Sequence, residues 1–395
     1  MSYWDKSLKR DLLTNRTNTL LADLTSEVEK LSAADTAFGN LSNQSISNSP
    51  SISVIRSIAD KYQAVIDGFL TAADYDSVDC RTLLGYISEE SEDLIFGELH
   101  GNWEVAKQNR DNTQSELDTY RKNSTYTTSY TYYDILGNEQ TITIDHYPDP
   151  FTEWCYNQSI ASYQKEMDKW QAKLDRLGAF EDRSGALFAN SVDFRTNAKK
   201  ALNDLKDCVS SDGTFKDISY CYGLNQLNKL HEQKQDEYLK KWLDDKGNID
   251  MDAVESFMFQ DPDSIPMDQY LAFCKLMDQM SDEELSDMMS RATRLNYDSQ
   301  TGEFSFGVSQ VFQDAAEINS LLWCEKYLEA GYDPSKIDED KMLRAIAIEA
   351  AAKQMVVMAE EENHYIEIDG VYKHLPVYVD GTNVYILPRV LINEA

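Results

Sequence analysis

Two runs of residues repeat with a period that only a paired helix satisfies. Leu99, Trp103, Ala106, Arg110, Thr113, Leu117 and Tyr120 follow one another at alternating steps of four and three. Ile160, Tyr163, Met167, Trp170, Leu174 and Leu177 do the same at steps of three and four. A 3.5-residue repeat keeps one stripe of a helix turned towards a neighbour along its whole length, so each run calls for another helix against it. The first run covers about 33 Å at the helical rise per residue. Between the runs, Tyr126, Thr128, Tyr130 and Tyr132 alternate with small polar residues, Leu136-Gly137-Asn138-Glu139 reads as a turn, and Ile142 and Ile144 alternate on the return. A period of two on both sides of a turn is the pattern of a β-hairpin. The expectation is an antiparallel helical arm with a tyrosine-rich tip at about residues 124–147.

The rest of the chain agrees with a mainly helical fold. Gly (16) and Pro (8) are scarce in 395 residues, which favours long helices over many turns. Leu13, Leu20, Leu24, Val28 and Leu31 predict a first helix, and the Ser- and Asn-rich stretch 33–51 a loop. Ile55, Ile58, Tyr62, Val65 and Phe69 predict a second helix. Leu83 to Ile87 is a short apolar segment leading into the arm, whose first helix is expected to begin near Ser91. Leu177 to Phe180 is read as a bend before a helix through Phe194, Ala198, Leu202 and Leu205.

Ser210 to Gly213 marks a first boundary. Beyond it come short helices: Leu224 to Trp242, one capped by Asp250, one starting near Pro266 with Ser264 as N-cap, and one behind the capping box Ser281 to Glu284. A turn at 296–302 ends this block. Helix Val308 to Ala330 follows, with Gly331 at its left-handed C-terminal position, then an all-round apolar helix Met342 to Met358 expected to be buried. Tyr365 to Ile368, Val371 to Val379 and Val384 to Leu387 predict a three-stranded meander. The fold class expected is therefore mainly α: an elongated bundle over 1–208, a compact acidic helical region over 209–304, and two long helices with a β-meander over 305–395.

The net charge of −32 excludes a nucleic-acid surface and disfavours anionic membranes, because phosphate would be repelled. The six cysteines are far apart, without metal-ligand spacing. The N-terminus lacks a signal-peptide core, and 345–359, the most apolar window, is too short and too charged to span a bilayer.

Chemistry is as sparse. His231-Glu232 begins an H-E-x-x-H match that Gln235 breaks. Asp244 to Glu255 has the acidity of a calcium loop but the glycine and apolar residue at the wrong offsets, so it reads as a helix end and the next cap. Asp261 and Asp263 read as helix-start residues, and Glu360 to Glu362, Glu367 and Asp369 form no specific acid–base pattern. No catalytic residue, metal site or cofactor is predicted. The candidate partner-binding residues all lie on the arm: Leu99, Trp103, Leu117, Tyr126, Tyr130, Tyr132, Met167, Trp170 and Leu174.

The stretch 173–188 gives the one resemblance to a known family. Leu174, Leu177 and Phe180 close a long helix; an acidic step, the pair Leu187-Phe188 and an amphipathic helix through Leu205 follow. This resembles the end of LXG domains, the N-terminal regions of effectors exported by the type VII secretion system of Gram-positive bacteria. Leu83-Leu84-Gly85 matches the Leu-x-Gly signature literally. The resemblance covers about residues 1–208. It implies a helical targeting region that binds small helical WXG100-like partners, with export to the cell surface or medium without a cleaved signal. A toxin domain, which would normally follow, is not predicted here. Two other readings remain: a phage-derived or intracellular structural protein that assembles through its arm, and an enzyme with an acidic carboxylate site in 211–395.

Overall fold

The computed structural model describes residues 7–43, 50–136, 138–206, 221–297, 304–362, 375 and 377–386. It is mainly α-helical with small antiparallel two-stranded sheets. The chain divides into two compact units, one of Met1–Leu20 with Leu83–Leu187, the other of Leu21–Thr82 with Phe188–Ala395. These units do not follow the sequence boundaries drawn at 208 and 304. The residues around Ser210 lie outside those described, and the two sides of 304 share one core.

The helices are α1 (Arg10–Asn43), α2 (Pro50–Glu89), α3 (Phe96–Ser124), α4 (Pro150–Ser184), α5 (Ala189–Lys206), α6 (Tyr222–Lys240), α7 (Met251–Met258), α8 (Met267–Met277), α9 (Asp282–Arg291), α10 (Gln310–Glu329) and α11 (Glu339–Glu362). The strands are β1 (Ser7–Leu8), β2 (Leu94–Ile95), β3 (Tyr126–Tyr133), β4 (Glu139–His146), β5 (Thr293–Tyr297), β6 (Phe304–Val308), β7 (Val377–Asp380) and β8 (Asn383–Ile386).

In the first unit, β1 pairs antiparallel with β2, which places Leu8 opposite Leu94. Both are fully buried with Ile87, Leu99, Leu177 and Phe180. Chain pairing at Leu94 and Ile95 is what delays α3 to Phe96, five residues past the expected start. Every residue of the two 3.5-residue runs is buried or half-buried. Arg110 donates to Gln164 Oε1 at 2.9 Å and the Tyr120 and Tyr156 rings lie 6.0 Å apart, so the two stripes face each other across the α3–α4 pair. The expected bend at Leu177 to Phe180 is absent. Leu177 and Phe180 are core residues on one face of an unbroken α4, and the chain turns at Gly185 to Phe188, where Phe188 has φ +67°. Below the pair, Arg176 bonds Glu90 and Glu92, Lys173 reaches Glu92 at 2.5 Å, and Arg183 meets Glu89 at 2.6 Å.

The second unit is built on α2. The expected loop at 33–51 is helical as far as Asn43, where Phe38 stacks on Tyr62 at 5.2 Å; residues 44–49 lie outside those described. Leu83 to Ile87 proves to be the end of α2, not a separate segment. Within this unit α2 offers a ladder of acceptors. Asp74 takes the Met267 N–H at 2.7 Å, Asp76 the Arg195 guanidinium at 2.6 Å, and Asp79 the Phe188 N–H at 2.7 Å. The Asp74 bond replaces the predicted Ser264 cap: Pro266 occupies the N-cap position and has no side-chain acceptor to give. The other capping signals hold, with Asp250 accepting from Asp252 and Ala253 and a full capping box at Ser281 and Glu284. Gly331 has φ +69°.

Asp79 carries a pH consequence. Burial, then the neighbouring Asp76, raise its carboxyl above the ordinary value, against the pull of the Phe188 amide. A carboxyl raised in the folded state favours folding when protonated, and that contribution is lost as pH rises through the folded value. Asp79→Asn keeps an acceptor for Phe188 and removes the buried charge. It is expected to melt above the parent protein at pH 7, with the difference shrinking as the pH is lowered. A difference that widens on acidification would be inconsistent with this.

One core joins Trp242, Phe257, Phe273, Met277, Leu285, Met288, Phe312 and Met355 with Val377 and Val379 of β7. The β7 edge is closed by α9. Asp282 and the hydroxyls of Ser286, Ser290 and Thr293 accept the N–H groups of Gly381, Val379, Val377 and Leu375 at 2.8–3.0 Å. Four helical residues rise about 6 Å and two strand residues about 6.6 Å, so a hydroxyl every helical turn meets every second amide. β7 and β8 form a hairpin; the first strand of the expected meander, and residues 371–374 of the second, lie outside the described residues. β5 and β6 form a hairpin where the sequence suggested only a turn at 296–302, of which 298–302 lie outside the described residues. Nor is α11 buried all round: Leu343, Ile346 and Val357 are exposed, while Ala345, Ile348, Ala352 and Met355 face the core.

Candidate partner-binding surface

β3 and β4 pair in unbroken antiparallel register from Tyr126↔His146 to Tyr133↔Glu139. The turn is held by Asp134, whose Oδ1 accepts the N–H groups of Leu136 and Asn138, both at 2.9 Å. It therefore closes on Asp134 and Asn138 and leaves Glu139 in the strand, one residue from where the sequence placed it. At the other end Asp149 caps α4 by accepting the Thr152 N–H, and Asp149 donates its own N–H to the Tyr120 hydroxyl at 2.9 Å. Arg121 meets Glu153 at 2.6 Å, tying the end of α3 to the start of α4. The hairpin is thus anchored at its root by polar contacts.

Its faces differ. Strand alternation puts Tyr126, Thr128, Tyr130 and Tyr132 on one face beside His146, Ile144, Ile142 and Gln140. The opposite face carries Thr127, Ser129 and Thr131 with Asp145, Thr143 and Thr141, and the Thr127 hydroxyl donates to Asp145. On the apolar face Tyr126 and Tyr130 are more than half exposed, and Tyr132, Ile142 and Ile144 nearly so. The turn adds Ile135, fully exposed, and Leu136. Tyr147, Phe151 and Trp154 extend the exposed set past the root. Scattered exposed apolar residues are ordinary on a protein surface, but a contiguous aromatic and aliphatic face is the usual composition of an interface centre.

The nine residues selected from sequence fall into two groups. Leu99, Leu117 and Met167 are buried, and Trp103, Trp170 and Leu174 are half-buried. Their stripe is used within the chain, where it holds the α3–α4 pair together, and Leu99, Leu117 and Met167 offer no surface. Burial removes Leu99, Leu117 and Met167 as partner contacts. Tyr126, Tyr130 and Tyr132 are exposed and share one face. Ile142 and Ile144 lie on the same face, and Ile135 and Leu136 at the turn and Phe151 and Trp154 past the root are also exposed. The alternation of Ile142 and Ile144 with threonines already signalled the two isoleucines.

The chain matches no protein-family model, no curated protein and no solved structure. The residues of the incomplete metal motif are committed to packing. His231 Nδ1 lies 2.8 Å from Asp268 Oδ1, and Gln235, the residue that breaks the metal motif, donates to the same oxygen at 3.3 Å. Asp268 has no solvent exposure and also accepts the Tyr75 hydroxyl at 3.2 Å. Among the described residues no group of three His, Cys, Asp or Glu side chains is placed to hold a metal ion, and no helix is long and apolar enough to cross a membrane.

Thiol chemistry separates the tip from the interior. Burial pushes the Cys274 thiol up to about 12 and the Cys80 thiol up to about 11, and both side chains are inaccessible. Cys155, on the first turns of α4 beside Trp154, is exposed. Because the thiolate is the reacting form, iodoacetamide at pH 8 is expected to label Cys155 well before Cys80, Cys221 and Cys274. Mass spectrometry of the native protein reads this directly, and equal labelling of the four would contradict the placement.

Proposed function

We propose that this chain acts by binding another protein, through the apolar face of the β3–β4 hairpin, and that it catalyses no reaction of its own. The observation that carries the reading is the exposure of Tyr126, Tyr130, Tyr132, Ile142 and Ile144 together on one face of a hairpin whose root is rigidly tied. A rigid aromatic surface binds with little loss of side-chain freedom, which is why tyrosines dominate energetic centres of interfaces. Asp134, Glu139, Asp145 and Asp149 surround it in a chain of net charge −32, so the partner is expected to present an apolar centre with a basic rim.

The resemblance of residues 1–208 to LXG domains supports one class of partner, small helical WXG100-like proteins encoded beside the gene, and one setting, export by a type VII system. Co-expression of the full chain with its small helical gene neighbours, followed by affinity capture and light scattering, tests the proposal. A stable complex is expected. Its affinity should fall at least tenfold in the variant Tyr130→Ser/Tyr132→Ser/Ile142→Thr, since interface anchors of this kind contribute about 2 kcal/mol or more each. The variant should melt as the parent protein does, because the altered side chains pack on little else. Capture of no neighbour together with self-association would favour the assembly reading instead, and a complex indifferent to the triple substitution would move the surface elsewhere.

A further inference from the structure

A second feature of the first unit is independent of the tip. A cavity of about 360 Å³ opens between the start of α3 and the last turns of α4. One wall is aromatic: Phe96, His100 and Trp103 stand on one stripe of α3, with Phe96 stacked on His100 at 5.3 Å and His100 tilted against Trp103 at 6.1 Å. The opposite side, from α4, brings the carboxylates of Asp175 and Glu181. No lysine or arginine is among the lining residues.

Gly178 lies in this lining, within the last two turns of a long helix. Glycine there costs helix stability relative to any ordinary residue. A Cβ added at Gly178 would meet no atom within 4 Å, so close packing is not what the glycine provides. The space above it is the cavity.

We propose that this cavity binds an organic ammonium group. Aromatic faces attract such cations through the ring quadrupole, and the half-buried carboxylate of Glu181 and the exposed one of Asp175 supply the matching charge. The same chemistry already operates in this unit, where the Lys107 ammonium lies 5.3 Å from the Trp103 ring and those of Lys169 and Lys173 each 5.1 Å from Trp170. Anions are disfavoured by the two carboxylates and by the charge of the whole chain. A neutral apolar ligand would draw nothing from the negative charge of the two side chains.

The test is titration of the full chain with choline, followed by calorimetry and by the indole N–H signals of the ¹⁵N-labelled protein. Saturable binding is expected at roughly millimolar affinity or tighter, with the largest shift at Trp103. The uncharged isostere 3,3-dimethylbutan-1-ol should bind at least tenfold more weakly. Asp175→Asn with Glu181→Gln should weaken choline about tenfold. Gly178→Leu should abolish binding while raising the melting temperature, because it fills the cavity and removes a helical glycine, and this keeps the test clear of misfolding. Two further probes identify the source. Tighter binding of a single-lysine peptide than of butylammonium assigns the group to a partner's side chain, and the reverse to a free amine; either supports the site. Absence of choline binding at tens of millimolar, equal binding of the isostere, or unchanged binding in Gly178→Leu would overturn it.

Discussion

Gly223→Ala is expected to be the most damaging single-methyl substitution in the second unit. Gly223 is the second residue of α6, where it crosses α5. A Cβ at this position would lie 2.2 Å from the backbone N of Ala201 and 2.4 Å from its Cα. Those atoms belong to the middle of α5 and cannot be cleared by turning a side chain, so the two helices must separate. Separation would also lengthen the bond from the Gly223 N–H to Asp204, now 2.9 Å, and open the core around Phe194, Ala198, Leu205 and Leu227. Overpacking a tight core costs about 1–3 kcal/mol, and contact with immovable backbone belongs at or above the top of that range. At about 2 °C per kcal/mol for a unit of this size, the melting temperature should fall by roughly 6 °C or more. Gly68→Ala is the internal control. Its Cβ would meet the Leu227 methyls at 2.9 and 3.1 Å, atoms at the end of a side chain that can rotate. Its effect should be clearly smaller, and Gly85→Ala, with nothing within 4 Å, should stabilise by up to about 1 kcal/mol. A Gly223→Ala protein that melts with the parent would refute the α5–α6 crossing.

Asp268→Ala ranks beside it for a different reason. Asp268 is the common acceptor for Tyr75, His231 and Gln235, which bring α2 and α6 onto α8. Tyr75 is 2% exposed and Gln235 8%, so neither finds water when the carboxylate is removed. Stranding buried donors of a shared acceptor costs about 3–5 kcal/mol. Asp268→Asn retains volume and one carbonyl oxygen and should lose less, and Tyr75→Phe, which deletes one donor and strands little, about 1 kcal/mol. Urea denaturation of the three variants gives the order directly. An Asp268→Ala loss no larger than that of Tyr75→Phe would show that the carboxylate does not organise this cluster.

What could be read in advance follows from how far along the chain each signal acts. The 3.5-residue runs from Leu99 to Tyr120 and from Ile160 to Leu177 named the buried stripe of both helices, because a helix face is fixed by local period. Period does not say what lies against the face, and here each run meets the other, which is why Leu99, Leu117 and Met167 are interior. The hairpin was legible for the same local reason, as were the caps at Asp250, Ser281 and Gly331. Interactions between distant residues were not. The bond from Tyr75 to Asp268 spans 193 residues, and nothing near Met267 indicates that Asp74 will cap its helix. The serines of α9 read as ordinary helix-surface residues until the β7 amides are seen on them. Tyr126, Tyr130 and Tyr132 carried the surface reading from the start, since a two-stranded hairpin has no second layer to cover its apolar face.

The hairpin face, and not the helical stripe beneath it, is the proposed docking surface for another protein. Hydrogen–deuterium exchange of the full chain, alone and with a captured gene neighbour, addresses it most directly. Slowed exchange is expected across Tyr126–Tyr133 and Glu139–His146 in the complex, with the buried seam around Leu117 and Met167 unchanged. Protection confined to α3, α4 or the second unit, with the hairpin exchanging as in the free chain, would contradict it.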